Sequence, residues 1–333
     1  MKNARIELHL HLDGSLDLPW AYKKSIERDV IPRETTFEEY YNMIHAPTIH
    51  HTEEGFKKFD LTCAVMQTAE DLEESIYNLI KQLDELGLYY AEIRYASQQH
   101  MLRGLSQKDT IRALIKGMER AKKDFPNIDI GLINCLMHKG ENAFANMDLN
   151  FEAIERSREF LGKGLVGMDL AGYENNGDFM LYAPLFEKCR EYGIPYTIHA
   201  GEMGEGAHMP MAIKMGAWRI GHGVNCVQKE EWLKEVVDKQ IPLEVCVTSN
   251  CGTGRNYAAH PIRQLIAAGA KVTLNSDNMM FSRTNICNEH YMLKCIGVTD
   301  RQLRQCTLNA VDAAFCSDEI KAKLYKKLEA DKI

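Results

Sequence analysis

Ile6-Glu7-Leu8-His9-Leu10-His11-Leu12-Asp13-Gly14 alternates apolar with polar residues at period two, the pattern of an extended strand. On such a strand His9 and His11 point to the same side, and two imidazoles on one face can grip a metal ion. The spacing equally suits a sheet strand whose histidines are hydrogen-bonded in a core. The choice depends on whether partners come from elsewhere in the chain.

After Gly14, residues 15–86 carry helical patterning and no convincing strand. Glu53 to Val65 sets Phe56, Phe59, Ala64 and Val65 among Lys and Glu, and Ala69 to Leu86 repeats Leu72, Ile76, Leu79, Ile80 and Leu83 at helical spacing. Beyond it, short apolar runs alternate with amphipathic helices. The runs are Leu88 to Tyr95, Ile128 to Met137, Val166 to Leu170, Tyr196 to Ala200, Trp218 to Gly221, Leu243 to Val247 and Val272 to Leu274. Helices between them include Gln107 to Lys123, Asn150 to Leu161, Phe179 to Tyr192, Lys229 to Lys239 and Ile262 to Ala268. With the opening strand this makes eight β/α steps and a parallel sheet. An unbroken series of eight predicts an α/β fold of the (β/α)8 TIM-barrel type, with additional helices after strand 1 and at the C-terminus (Glu289 to Ile296, Asp300 to Cys316, Glu319 to Ala330). An open doubly wound sheet is the structural alternative. No linker, repeat or low-complexity tract appears, so residues 1–333 are expected to form a single domain.

Of the 333 residues, 45% are hydrophobic and 26% charged, which suits a large core and not a disordered chain. A formal net charge of −7 argues against a nucleic-acid or anionic-membrane surface, because phosphate binding needs concentrated Lys and Arg. A small-molecule substrate is the better expectation. Ten cysteines without a C-x-x-C pair, and an N-terminus lacking an apolar signal region, point to a cytoplasmic protein with reduced thiols. No stretch is apolar enough to span a membrane.

In a (β/α)8 barrel, catalytic residues come from the C-terminal ends of the strands. Here those ends are rich in metal-type ligands: His9 and His11 on the first, His199-Ala200-Gly201-Glu202 after the fifth, Gly221-His222-Gly223 after the sixth, Ser276-Asp277-Asn278 after the eighth. Each has an ordinary reading: a core histidine at 199, a solvated carboxylate at 202, a turn residue at 222, a helix N-cap at 277. Together on one inferred face, His9, His11, His199 and Asp277 make a ligand set for one zinc-type ion. The fourth strand ends Asp169-Leu170-Ala171-Gly172, without the lysine that holds a second ion in many metal-hydrolase barrels, so one metal is expected. The H-x-E and P-C-x-x-C signature of the cytidine-deaminase type is absent. With a metal generating the nucleophile, Glu202 is placed to be the proton donor and His222 to hold or deprotonate water.

These motifs, with Ala91-Glu92-Ile93-Arg94-Tyr95, form an ordered series resembling the adenosine deaminase family over nearly the whole chain. The resemblance implies a zinc barrel hydrolysing adenosine and 2′-deoxyadenosine to inosine products. It implies that His9, His11, His199 and Asp277 are the zinc ligands, that Glu202 protonates purine N1, and that His222 stands beside the attacking hydroxide. His11 borders the substrate, the Gly172 backbone N–H faces purine N3, and Asp13 meets the ribose 5′-hydroxyl. Phe56 and Phe59 fall where the family has an apolar helix over the pocket mouth, although ordinary core packing explains them equally. Many members carry Asp-Asp-Pro after the eighth strand, where this chain has Asp277-Asn278-Met279. Asn278 would keep the N7 contact by donating from its amide at any pH. Relatives act on AMP, adenine or 6-aminodeoxyfutalosine. A phosphate would be repelled by Asp13 with no Lys/Arg cluster to hold it, and adenine users tend to carry Glu at Asp13, whereas the futalosine substrate stays open. A non-catalytic barrel should have lost some of these six metal and acid–base residues. His45, His50, His51, His208 and His260 are expected to face water, His100, His138 and His290 have no nameable partner, and Cys246 and Cys251 read as buried thiols.

Overall fold

The computed structural model describes residues 3–45, 53–138, 146–174, 178–203, 206–252 and 256–332, with the backbone alone at 53–56. His50 and His51 lie outside the described residues, as does the Phe56 side chain.

The opening stretch forms β1 (Ile6–His11). Four helices follow: α1 (Leu18–Glu27), α2 (Phe37–His45), α3 (Glu53–Val65) and α4 (Ala69–Glu85). Strands and helices then alternate as β2 (Tyr90–Tyr95), α5 (Gln107–Asp124), β3 (Asp129–His138), α6 (Met147–Arg158), β4 (Leu165–Gly172), α7 (Ala183–Glu191), β5 (Thr197–Ala200), α8 (His208–Lys214), β6 (Arg219–His222), α9 (Glu230–Asp238) and β7 (Leu243–Val245). The short α10 (Val247–Cys251) and α11 (Ile262–Ala267) lead to β8 (Val272–Leu274), and α12 (Met279–Ser282), α13 (Ile286–Cys295), α14 (Asp300–Ala313) and α15 (Asp318–Ala330) complete the chain.

All strand pairings are parallel, in the orders β1-β2-β3-β4 and β5-β6-β7-β8. Isolated parallel bridges join the two sheets at both seams, Met168 to Tyr196 and Leu10 to Asp277. The second is made by two backbone hydrogen bonds, Asp277 N–H to the His9 carbonyl (2.9 Å) and His11 N–H to the Asp277 carbonyl (2.8 Å). Strand order therefore runs round in a ring, the barrel arrangement the alternation predicts. β2 is buried along its whole length, as expected of a parallel strand covered on both faces.

Several boundaries differ from the sequence reading, and three of them are instructive. The helix expected over Asn150 to Leu161 starts at Met147, because the Asn150 amide is drawn inward to both the N–H and the carbonyl of Met137. The segment from Phe179 opens as a tight turn, and the α-helix begins only at Ala183, where Pro184 suits a first turn. The seventh strand stops at Val245, two residues early, and turns into α10.

The outward faces of the strands pack on the helices. Ile6 and Leu8 of β1 lie under Ala310 and Val311 of α14, Ala314 just beyond it, and Leu324 and Leu328 of α15, which tie down the base of the opening strand. α4 and α5 meet at Gly117, where a Cβ would sit 2.4 Å from Ile76 Cγ2 and 2.5 Å from the Glu73 carbonyl oxygen. Gly117→Val should therefore destabilise the fold by about 1–3 kcal/mol through overpacking. A lowered urea midpoint is the expected result, and an unchanged one would mean that the helices separate freely.

Candidate active site

Strand alternation sends Glu7, His9 and His11 to the inside of the ring, against the usual aliphatic filling of such barrels. The interior of this one is a polar network. Glu7 accepts from the Ser276 hydroxyl (2.6 Å) and backbone N–H (3.0 Å) and from the His9 N–H (3.2 Å). Burial first of all pushes its carboxyl up to about 8. Arg94 donates to Asp169 and Glu244, each at 2.8 Å, and to the Leu8 carbonyl. Arg219 donates to Glu244 and Glu92, each at 2.6 Å, beneath the Phe315 ring.

The same carboxylates orient the imidazoles. Glu244 sits 2.8 Å from His9 Nδ1, and Asp169 lies 2.9 Å from His199 Nδ1. Burial would raise the Glu244 carboxyl, but Arg94 and Arg219 more than offset it and hold it well below the usual range. An ionised carboxylate only accepts, so each ring turns an Nδ1–H donor to it and its Nε2 toward the common cluster. Burial likewise depresses His11, leaving that ring neutral.

Donor atoms of His9, His11 and His199 lie within 4.8 Å of one another. His11 and His199 bring their Nε2 atoms to 3.3 Å, and Asp277 Oδ1 stands 3.6 Å from His9 Nε2 and 3.5 Å from His11 Nε2. His9 Nε2 is buried with no hydrogen-bond partner, an orphan that a cation would satisfy. Three neutral imidazoles and a carboxylate are the donor set a zinc-type ion takes. Cys246 also approaches His9 and His222, and burial raises its thiol well above the ordinary value. Ser249 Oγ–H donates to the other Asp277 oxygen at 2.6 Å.

Glu202 and His222 flank this cluster with Nε2 and Oε1 3.5 Å apart, and Asn250 lies 3.1 Å from His222 Nδ1. Burial, then the charges of Asp277 and Glu174, raise the Glu202 carboxyl well above its ordinary value, which suits a proton donor. His222 (φ 62°) and Asp277 (φ 64°) both have left-handed backbone, a strain worth about 1–3 kcal/mol that gathers at functional sites.

Asp13 is buried, with Gly14 N–H on one oxygen (3.1 Å) and Cys63 Sγ 3.6 Å from the other. Asn278 packs its amide oxygen against Gly14, where a Cβ would lie 1.7 Å away. Gly172 ends β4 at φ 121°, with room for no Cβ beside the His138 carbonyl oxygen (2.6 Å). Phe59 reaches the site, its ring 6.4 Å from His11 and edge-on to Phe281 at 4.8 Å. All the site residues read from the sequence thus gather at one mouth of the ring.

Several expectations need correction. His208 does not face water: it is buried, 3.0 Å from Glu174 and stacked on Phe179. His260 is also buried, and His45 is half-buried against the carbonyls of Tyr41 and Met280. Cys251 is half-buried, not enclosed. His138 does have neighbours, the rings of Phe179 and Tyr182. Glu244, Glu174, Ser249 and Asn250 were missed. The available signal was Glu92 and Arg94 at period two within a strand bounded by apolar residues, which announces charge inside the ring.

Residues 4–331 match the family model for adenosine deaminase. Adenosine deaminase of Haemophilus ducreyi is 34% identical over 331 residues, covering 97% of this chain and 95% of that protein. The Clostridium perfringens enzyme of the same name is 34% identical over 325 residues, with 96% of each covered. Among solved structures, adenine deaminase from Arthrobacter aurescens superposes with a TM-score of 0.86 at 22% identity, covering 98% of each chain. An N6-methyl-AMP deaminase from Arabidopsis thaliana gives 0.83 at 22% identity, covering 98% of this chain and 96% of that one. An amidohydrolase from Burkholderia ambifaria with bound zinc gives 0.86 at 20% identity, covering 99% and 91%.

Arg94→Leu would leave Asp169 and Glu244 buried without their shared cation, and breaking a buried ion pair in this way costs about 3–5 kcal/mol. A large drop in the chemical-denaturation midpoint is expected. Wild-type stability would show that the carboxylates need no cation between them.

Proposed function

The chain belongs to the adenosine deaminase family, and from that premise we propose that it hydrolyses adenosine and 2′-deoxyadenosine to inosine and 2′-deoxyinosine with release of ammonia, using one zinc ion. The observation that carries this reading is the convergence of three imidazoles and Asp277 beside the Glu202–His222 pair. Relatives at 34% identity over nearly the full length carry the nucleoside activity in their names.

His9, His11, His199 and Asp277 would hold the ion, and zinc bound there supplies Lewis acidity, bringing a water's pKa from 15.7 to about 7 so that a nucleophile exists at neutral pH. Glu202 gives its proton to purine N1, which draws electrons from C6 and opens it to attack. His222, steadied by Asn250, holds the attacking water and takes up its proton. On the other side of the mouth, Asp13 receives the ribose 5′-hydroxyl and Gly172 offers its backbone N–H to N3. Asn278 has its amide oxygen turned to Gly14 and donates from the nitrogen to N7. Phe59, beside His11, shields the base from water. A 5′-phosphate beside Asp13 would meet like charge in a buried setting, which disfavours AMP.

A panel of adenosine, 2′-deoxyadenosine, adenine and AMP, assayed with metal-stripped and zinc-restored protein, tests this reading. The restored protein should release ammonia from both nucleosides, with kcat/KM for adenine and AMP lower by about 10²-fold or more, and the stripped protein should be inert. Faster turnover of adenine or AMP would overturn the substrate assignment, and full activity without metal would overturn the ligand assignment. Asn278→Leu should lower kcat/KM for adenosine by about 10-fold or more, since an unpaired buried acceptor costs about 1–3 kcal/mol. An unchanged value would remove Asn278 from the substrate contacts.

A further inference from the structure

Two residues beyond the end of β4, the side chain of Glu174 is buried and turned toward the loop that follows β5. Its Oε1 accepts from the Gly201 backbone N–H (2.8 Å) and lies 3.0 Å from His208 Nδ1. Its Oε2 accepts from the N–H groups of Glu202 (2.9 Å) and Met203 (3.0 Å). Four donors thus meet the four acceptor sites of one carboxylate.

Three consecutive N–H groups are free for this because β5 ends at Ala200 and Gly201 turns at φ 67°, making a concave nest of the kind that binds anions. The carbonyl side of the same loop is fixed separately. Asn225 donates its backbone N–H to the Gly201 carbonyl (2.9 Å) and its amide to the Glu202 carbonyl (3.2 Å). His208 is itself held by stacking on Phe179 at 4.5 Å and 15°.

We propose that Glu174 is a positioning residue for the deamination: it clamps the backbone of residues 201–203 and so fixes the direction from which the Glu202 carboxyl meets the substrate base. The inference rests on the catalytic role proposed for Glu202. Glu174 touches no substrate; it acts through the peptide groups on either side of the proton donor. A glutamine at 174 would turn an NH2 group toward two of the four donors whichever way its amide lay. The clamp then opens on one side, and misplacement of a reacting group by about 1 Å can cost about 10²-fold in rate.

The test compares Glu174→Gln, Glu202→Gln and the double variant in zinc-loaded full-length protein with adenosine. Glu174→Gln should lower kcat by about 10²-fold while KM changes less than about threefold and one metal per chain is retained. In the Glu202→Gln background it should cause no further loss, because the clamp has nothing left to aim. Losses that multiply in the double variant, a wild-type kcat, or a fall accompanied by loss of metal would each overturn the proposal. If Glu174→Gln does not fold, His208→Phe removes one donor and keeps the stack on Phe179. It should give a smaller kcat loss that again vanishes in the Glu202→Gln background, and a loss that persists there overturns the clamp. Wild-type protein inert toward adenosine would count against the substrate reading instead; the same comparison is then made on whichever 6-aminopurine is turned over.

Discussion

Inside the ring the Arg94 guanidinium donates to Asp169 and Glu244 at 2.8 Å each, and those two carboxylates hold His199 and His9 by their Nδ1 atoms. Two of the three imidazoles therefore owe their tautomer and ring direction to one cation. Burying such groups is unfavourable unless every charge is paired and hydrogen-bonded, and Arg219 completes the pairing by bridging Glu244 to Glu92. An aliphatic interior would pack as well. It would not leave lone pairs aimed at a common point, and partners of this kind typically alter metal affinity or activity by about 10–100-fold.

The remaining parts of the site are placed by backbone. Asp277 exchanges two hydrogen bonds with the His9 and His11 peptide groups across the seam, so the carboxylate that follows β8 is indexed directly to the two imidazoles on β1. That register requires Asp277 to adopt φ 64°, and His222 pays a similar strain at φ 62° beside Gly223 at 68°. A glycine would relieve either position, but only by removing the side chain that the cluster contains. Strain and side-chain placement are here two sides of one constraint.

The sequence carried the fold through alternation, which depends only on local periodicity, and it carried the imidazole pair through the same period-two rule. Glu202, His222 and Asp277 were legible because they stand at strand ends or within three residues beyond them. Glu244 was not, since in Leu243-Glu244-Val245 one polar residue between apolar neighbours reads as the wet face of a strand, whereas a ring turns that face inward. Asp169 stood in a recognised motif but was read for the lysine its strand lacked. His208 and Glu174 were obscured by a different effect: they lie on loop or helix-start positions, where polar residues ordinarily face solvent, and only packing between two non-adjacent loops buries them together.

The ring also divides its duties by strand. Of the residues that β5, β6 and the loop between them deliver, His199 is tied to Asp169 of the interior network, Glu202 to Glu174 through its backbone N–H, and His222 to Glu202 and Asn250, so a change there disturbs several contacts at once. Asp13, Gly14 and Asn278 occupy the seam between β1 and β8, and Phe59 comes from α3 outside the ring. Cys63, also from α3, touches Asp13 while lying apart from the Arg94 network. Substitutions at those residues leave the buried charges of the Arg94 network paired. One side of the mouth is thus locked by buried charge, whereas the other is held by looser contacts.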